Sequence, residues 1–164
     1  MKRILFLPLI IGLYSRVLAQ DTFNWNDSLV KIGQTRNIRI FMDYKSCNLI
    51  PWYKYDDNKL TLDTVITFLN KNNDISIALI WHTGTLGSSQ YNFYYSKKLA
   101  DALLKELISL GVSERRITAI GLGESRPIIS EEEIKSIDDH DRKIQLDSIN
   151  RRIEIIITSV PVRK

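Results

Sequence analysis

The stretch Ile75-Ser76-Ile77-Ala78-Leu79-Ile80-Trp81 decides the fold class. It is almost wholly apolar and partly β-branched, which is the pattern of a central strand covered on both faces. On its N-terminal side, Leu62, Val65, Ile66 and Leu69 follow helical spacing between Leu60 and Asn70, and the polar run Asn70 to Asn73 ends that helix. On its C-terminal side, Thr83 to Ser89 reads as a loop with two glycines. Beyond the loop, Leu99, Ala102, Leu103, Leu107 and Leu110 mark one face of a long helix that closes at Gly111, a residue suited to the left-handed C-terminal position.

Farther out, Arg116 to Gly121 carries Ile117 and Ile120 into a strand that stops through Gly123 and Pro127. Ser130-Glu131-Glu132-Glu133 has the capping-box pattern, so a short acidic helix is expected from Glu131 to about Asp138, with another turn over Arg142 to Ser148. Arg152 to Val160, rich in isoleucine, is the last strand. The first is expected over Asn37 to Asp43, where Ile38, Ile40 and Met42 alternate with Arg39 and Phe41. Ser28 to Ile32, turned by Gly33-Gln34, reads as a candidate short strand before it. The resulting order, β-α-β-α-β-(insertion)-β, gives an α/β fold: an α+β sandwich in which a mixed four-stranded sheet carries two main helices on one face.

The chain opens on the pattern of an export signal over residues 1–19: Lys2 and Arg3, an apolar stretch from Ile4 to Tyr14, and Val17-Leu18-Ala19 as a small-residue cleavage site. The apolar stretch is short of the roughly 20 residues of a membrane span. The expectation is therefore an exported protein of the periplasm or outer membrane whose mature chain has no transmembrane segment. Cleavage removes Lys2, Arg3 and Arg16, which takes the 23 basic residues to 20 against 19 acids and the net charge from +4 to +1. That near-balance argues against nucleic acid as a partner. Cys47 is the single cysteine, so no internal disulfide is available. The remaining expected organisation is an N-terminal extension over 20–37, a domain over 38–160 with a polar, partly helical insertion over 124–150, and a tail over 161–164.

Three separated segments resemble one family, the OmpA-like C-terminal domains of bacterial outer-membrane proteins and lipoproteins. They are Phe41-Met42-Asp43-Tyr44-Lys45-Ser46 with Leu49 and Pro51; His82-Thr83 followed by Gly87, Asn92, Ser96 and Ala100; and Gly111-Val112, Arg116, Gly121-Leu122-Gly123-Glu124 and Pro127, with Asn150-Arg151-Arg152-Ile153-Glu154-Ile155. The resemblance implies a non-catalytic cell-envelope domain, peptidoglycan-associated or derived from a peptidoglycan-binding module. Such domains recognise diaminopimelate, whose side chain ends in an amine and a carboxylate. A carboxylate and a bidentate guanidinium suit that target. The resemblance places them at the Asp of a His-Thr-Asp motif and the Arg of an NxxLSxxRA motif, and Gly84 and Leu99 stand there instead. Lys97 and Lys98 flank Leu99, but a one-residue step turns a helical side chain by about 100°. Losing both charges is expected to abolish ordinary diaminopimelate binding, and restoring them by Gly84→Asp with Leu99→Arg is the discriminating experiment: gained wall binding would show that the pocket is vacant for that ligand.

Asp43, Asn92 and Arg151 match family positions lining the same pocket and are the candidate ligand-binding residues. Each has a plainer reading: an Asx turn for Asp43, loop hydrogen bonding for Asn92, and for Arg151 a solvated strand-end charge paired with Glu154 or an acid from the insertion. No cofactor and no metal are implied, since His82 has no partner at ligand spacing and His140 lies far along the chain. Gly121-Leu122-Gly123 lacks the third glycine and helix start of a phosphate loop, and no general base accompanies Ser88 and Ser89. The expected partner is cell-wall peptidoglycan through an altered pocket. The alternative is an envelope protein bound through exposed members of the Tyr91, Phe93, Tyr94 and Tyr95 cluster, with Trp52, Tyr53 and Tyr55 as a second aromatic group.

Overall fold

A computed structural model of the chain describes residues 21–27, 29–43, 48–49 and 56–161. Outside that description lie the side chains of residues 42, 43, 48, 49 and 56, the expected export signal, Cys47, and the group at Trp52, Tyr53 and Tyr55. The elements run β1 (Thr35–Ile38), β2 (Met42–Asp43), β3 (Asn48–Leu49), α1 (Asp56–Lys71), β4 (Ser76–His82), α2 (Ser89–Ser109), a 3-10 turn (Glu114–Arg116), β5 (Ile117–Gly123), α3 (Glu131–Lys135), α4 (His140–Asn150) and β6 (Arg152–Ser159). Four strands form one mixed sheet in the order β1-β6-β4-β5. In it β4 is parallel to β5 and antiparallel to β6, and β1 is antiparallel to β6.

Strand periodicity sorts the sheet residues by face. Ile77, Leu79 and Trp81 of β4 and Ile153, Ile155 and Ile157 of β6 share one core with Leu62, Val65, Phe68 and Leu69 of α1 and with Leu99, Leu103 and Leu107 of α2. On the other face Ala78, Ile80 and Ile156 are buried with Leu122 against them. The β4 strand is thus covered on both faces, and the two main helices share one. Close approach of α2 to β5 needs Gly121, where a β-carbon would fall 2.2 Å from the Lys97 amide nitrogen. The long helix ends as expected: Gly111 has φ 97°, its amide donates to the Ile108 carbonyl, and that of Val112 donates to the Leu107 carbonyl, both at 3.0 Å.

Three local expectations change. The strand read over Asn37–Asp43 is two pieces: pairing with β6 stops at Ile38, and Met42–Asp43 pairs instead with β3. Between them the buried Asn58 of α1 accepts from the Phe41 amide (2.7 Å) and donates to the Phe41 carbonyl (2.8 Å), so a side chain takes the groups a neighbouring strand would use. The candidate strand before β1 is absent over residues 29–32, where Lys31 donates to Gln34 Oε1 at 2.8 Å and Gly33 turns at φ 90°; Ser28 lies outside the described residues. Upstream, Phe23 is fully buried, stacked on Phe68 at 5.2 Å and edge-on to Trp25 at 5.4 Å. Finally, the turn expected over Arg142–Ser148 is the 11-residue helix α4. It buries Asp147 and Asn150 and leaves Ile144 and Ile149 exposed. Its inward side is polar, and apolar periodicity therefore does not reveal it.

Candidate functional site

Where β4 ends, the pairing with β5 shifts register between Trp81 and His82, and the chain enters the buried loop Thr83-Gly84-Thr85. A cleft of about 410 Å³ opens there. Its walls come from the end of β4, the start of α2 with Tyr91, Asn92 and Tyr95, and the insertion helix with Asp147 and, just beyond its end, Arg151. Ile38 to Phe41 close another side.

His82 is 1% exposed and its Nε2 lies 3.2 Å from Oε2 of Glu154. Burial holds the imidazole below its ordinary pKa, aided by the charges of Arg152 and Arg126 and opposed by the bond to Glu154. Burial alone would raise the Glu154 carboxyl. The His82 bond and the positive charges of Arg152 and Arg126 outweigh it, and the net shift is downward. A neutral imidazole donating from Nε2 to an ionised carboxylate leaves Nδ1 as an acceptor. Among the described residues Nδ1 of His82, Oγ1 of Thr83 and Nε of Arg151 are buried without hydrogen-bond partners. All three residues line the cleft.

Asn92, a candidate ligand residue, lines the cleft and also performs the loop role. Its amide nitrogen donates to the carbonyls of Gly84 and Leu86, each at 3.3 Å, and to the Glu124 carboxylate. Ser89 donates to the same carboxylate, which ties the start of α2 to the end of β5. Arg151 lines the cleft and pairs through Nη2 at 3.2 Å with Asp147, an acid of the insertion. Asp43 lies on β2, two positions beyond the cleft residue Phe41, and its side chain is outside the described set. Leu99 is 1% exposed and belongs both to the core and to the cleft lining, so the cleft is apolar at that point.

Position 84 departs from the sequence expectation. A β-carbon on Gly84 would lie 2.0 Å from Oδ2 of Asp147 and 2.5 Å from its Cγ and Oδ1. There is no room for Gly84→Asp while Asp147 stays in place, and the proposed restoration is sterically blocked. Asp147 itself went unnoticed in the sequence, where it is one more acid in a polar stretch. The usable signal was the pairing of a glycine in a charge-bearing motif position with a helix-spaced Asp147 and Arg151.

Of the aromatic cluster, Tyr91, Phe93 and Tyr94 are exposed and Tyr95 is buried, with Tyr91 stacked on Tyr95 at 5.6 Å. The Lys98 ammonium sits over the Tyr94 ring at 4.8 Å. Among the described residues no group of three or more His, Cys, Asp or Glu side chains could hold a metal ion, and no helix is long and apolar enough to cross a membrane.

Comparison with known proteins meets this geometry. The OmpA family model matches residues 56–139, just over half of the chain, and stops before α4. The peptidoglycan-associated lipoprotein of Buchnera aphidicola is 29% identical over 81% of this chain and 67% of its own length. Outer membrane porin F of Pseudomonas fluorescens is 31% identical over 56% of this chain, a match covering only 28% of the porin. The crystal structure of the peptidoglycan-associated lipoprotein from Burkholderia pseudomallei superposes with a TM-score of 0.54 at 22% identity, covering 73% of this chain and 88% of that one, and so shares the fold.

Proposed function

This chain belongs to the OmpA family, and from that membership we propose that it is a non-catalytic cell-envelope domain that associates with peptidoglycan through the cleft at the end of β4. It acts in the periplasm or at the outer membrane after export. The observation that carries the reading is the set of buried, partnerless polar atoms on His82, Thr83 and Arg151 in one cleft. Burying polar groups without partners is costly, and a polar ligand seated between them removes that cost. The names of the lipoprotein relatives, peptidoglycan-associated, agree with such a ligand. In this reading Asn92 and Arg151 border the ligand, and Asp43 stands at the mouth contributed by the segment after β1. The direct experiment is retention of the purified protein on sacculi, expected at low and moderate salt; no retention at either would sink it.

A second reading, an envelope protein as partner, is favoured by the exposure of Tyr91, Phe93 and Tyr94 near the start of α2. Tyrosine and phenylalanine give large contact area for few frozen rotamers. If Tyr94→Ala and Phe93→Ala leave sacculus retention intact but abolish a cross-link to an envelope protein, this surface serves a partner and the cleft serves the wall.

A further inference from the structure

The acid absent from position 84 is present in space. Asp147 reaches from α4 so that its carboxylate oxygens and Cγ all lie within 2.5 Å of the point where a β-carbon on Gly84 would stand. It is fixed there by Oδ1, which accepts from the Thr85 amide at 2.6 Å and from the Thr85 hydroxyl at 3.2 Å, and by Oδ2, which pairs with Arg151 at 3.2 Å. Its side chain is 2% exposed, and it lines the cleft. An apolar side chain would fasten α4 against the loop without the desolvation penalty of a buried charge. A carboxylate held over a glycine, beside an open cleft, calls for another explanation.

We propose that Asp147 is the ligand-binding acid of this cleft, substituting from the insertion helix for the missing acid at position 84, and that with Arg151 it receives a ligand carrying an ammonium beside a carboxylate. This rests on the wall-binding reading above and names its charged contacts. A carboxylate has about four lone-pair positions; the Thr85 groups and Arg151 occupy three, which leaves one for an ammonium N–H. Nδ1 of His82, an acceptor when Nε2 donates to Glu154, is suited to a second. Arg151 keeps its buried Nε unpartnered, a guanidinium edge available to the ligand's carboxylate as a fork. Thr83 is 8% exposed with its hydroxyl equally unpartnered, and it can serve either group. The acid and base therefore arrive together, Asp147 in the last turn of α4 and Arg151 just after it, and the apolar Leu99 needs no arginine for the cleft to carry both charges.

The test uses the full chain, sacculi, and free diaminopimelate as competitor. Asp147→Asn keeps the size and the acceptor for the Thr85 amide. It is expected to lower retention about tenfold or more, the usual consequence of removing one buried charge from a pair, while circular dichroism shows the fold retained. The exchange Gly84→Asp/Asp147→Gly returns the acid to the loop and is expected to regain most of the retention, which a purely structural role for Asp147 would not produce. Free diaminopimelate should displace the wild type, separating recognition of the amino-acid group from other wall contacts. Wild-type retention matched by Asp147→Asn, or an exchange variant that folds and is not retained, overturns the assignment alone. Absence of wild-type retention overturns the wall-binding reading and the assignment with it.

Discussion

Gly84→Ala is the smallest perturbation that probes the packing of Asp147 against the loop. Gly84 does not have a positive φ, so alanine suits its backbone, and the effect is confined to one added carbon. That carbon would fall 2.0 Å from Asp147 Oδ2, whereas non-bonded contact is comfortable at roughly 3.5 Å. The carboxylate must withdraw, and the bond to the Thr85 amide and the pair with Arg151 cannot both survive the move. Hydrogen bonds to charged groups are worth about 1.5–3 kcal/mol each, and alanine returns about 0.4–1 kcal/mol through the unfolded chain. The net expectation is a loss of about 2–4 kcal/mol, beyond the usual surface-mutation range. Asp147→Ala forfeits the same bonds and leaves the Thr85 amide buried without its acceptor, for a similar loss of about 2–4 kcal/mol. In the double variant the collision no longer exists, so the two losses should fall short of their sum by about 2 kcal/mol. Urea denaturation of the four proteins, followed by circular dichroism, measures this directly. Additivity to within about 0.5 kcal/mol would show that residue 84 and Asp147 do not share this space.

Arg116 donates to the carbonyls of Ile75, Leu69 and Asn72 at 2.9, 2.8 and 2.7 Å, closing the end of α1; Arg116→Ala should cost about 2–4 kcal/mol in urea denaturation, while Arg115→Ala next to it, exposed, should cost under about 0.5 kcal/mol. Phe23→Ala should cost about 3–5 kcal/mol, as for a fully buried aromatic, and a loss near zero would show that the segment before β1 is not part of the core. For pH, the folded pKa of His82 lies below its ordinary 6.5, so between 6.5 and that lower value the unfolded chain binds a proton that the folded one refuses. Glu154, held below 4.5, acts in the same sense at lower pH. Stability must therefore fall on acidification through both windows. His82→Gln removes the upper one, and its urea midpoint should change less than the wild type's between about pH 7 and about pH 5.5; an equal change would exclude His82 as the source.

The two faces of β4 and the helices beside it were legible because burial there is apolar and periodic. Ile77, Leu79 and Trp81 against Ala78 and Ile80, and the Leu99, Leu103, Leu107 stripe, state their surroundings in residue type alone. The strand after Arg36 was misplaced because Asn58, far along the chain, takes the Phe41 backbone. Phe23 carried no period to place it, and only its packing on Phe68 and Trp25 does so. Asn92 and Arg151, singled out by motif position, both line the cleft.

The sheet, its two main helices and the lack of an acid at 84 and an arginine at 99 were readable from residue order alone, since they follow from local pattern and residue identity. The docking of α4 is what brings a carboxylate, that of Asp147, to the space beside Gly84. α4 buries Asp147 and Asn150 where a helix ordinarily buries leucine, and a polar face leaves no apolar period to read. Whether two residues far apart in the chain share one volume depends on how the helices dock, and Gly84 and Asp147 do so to within 2.0 Å.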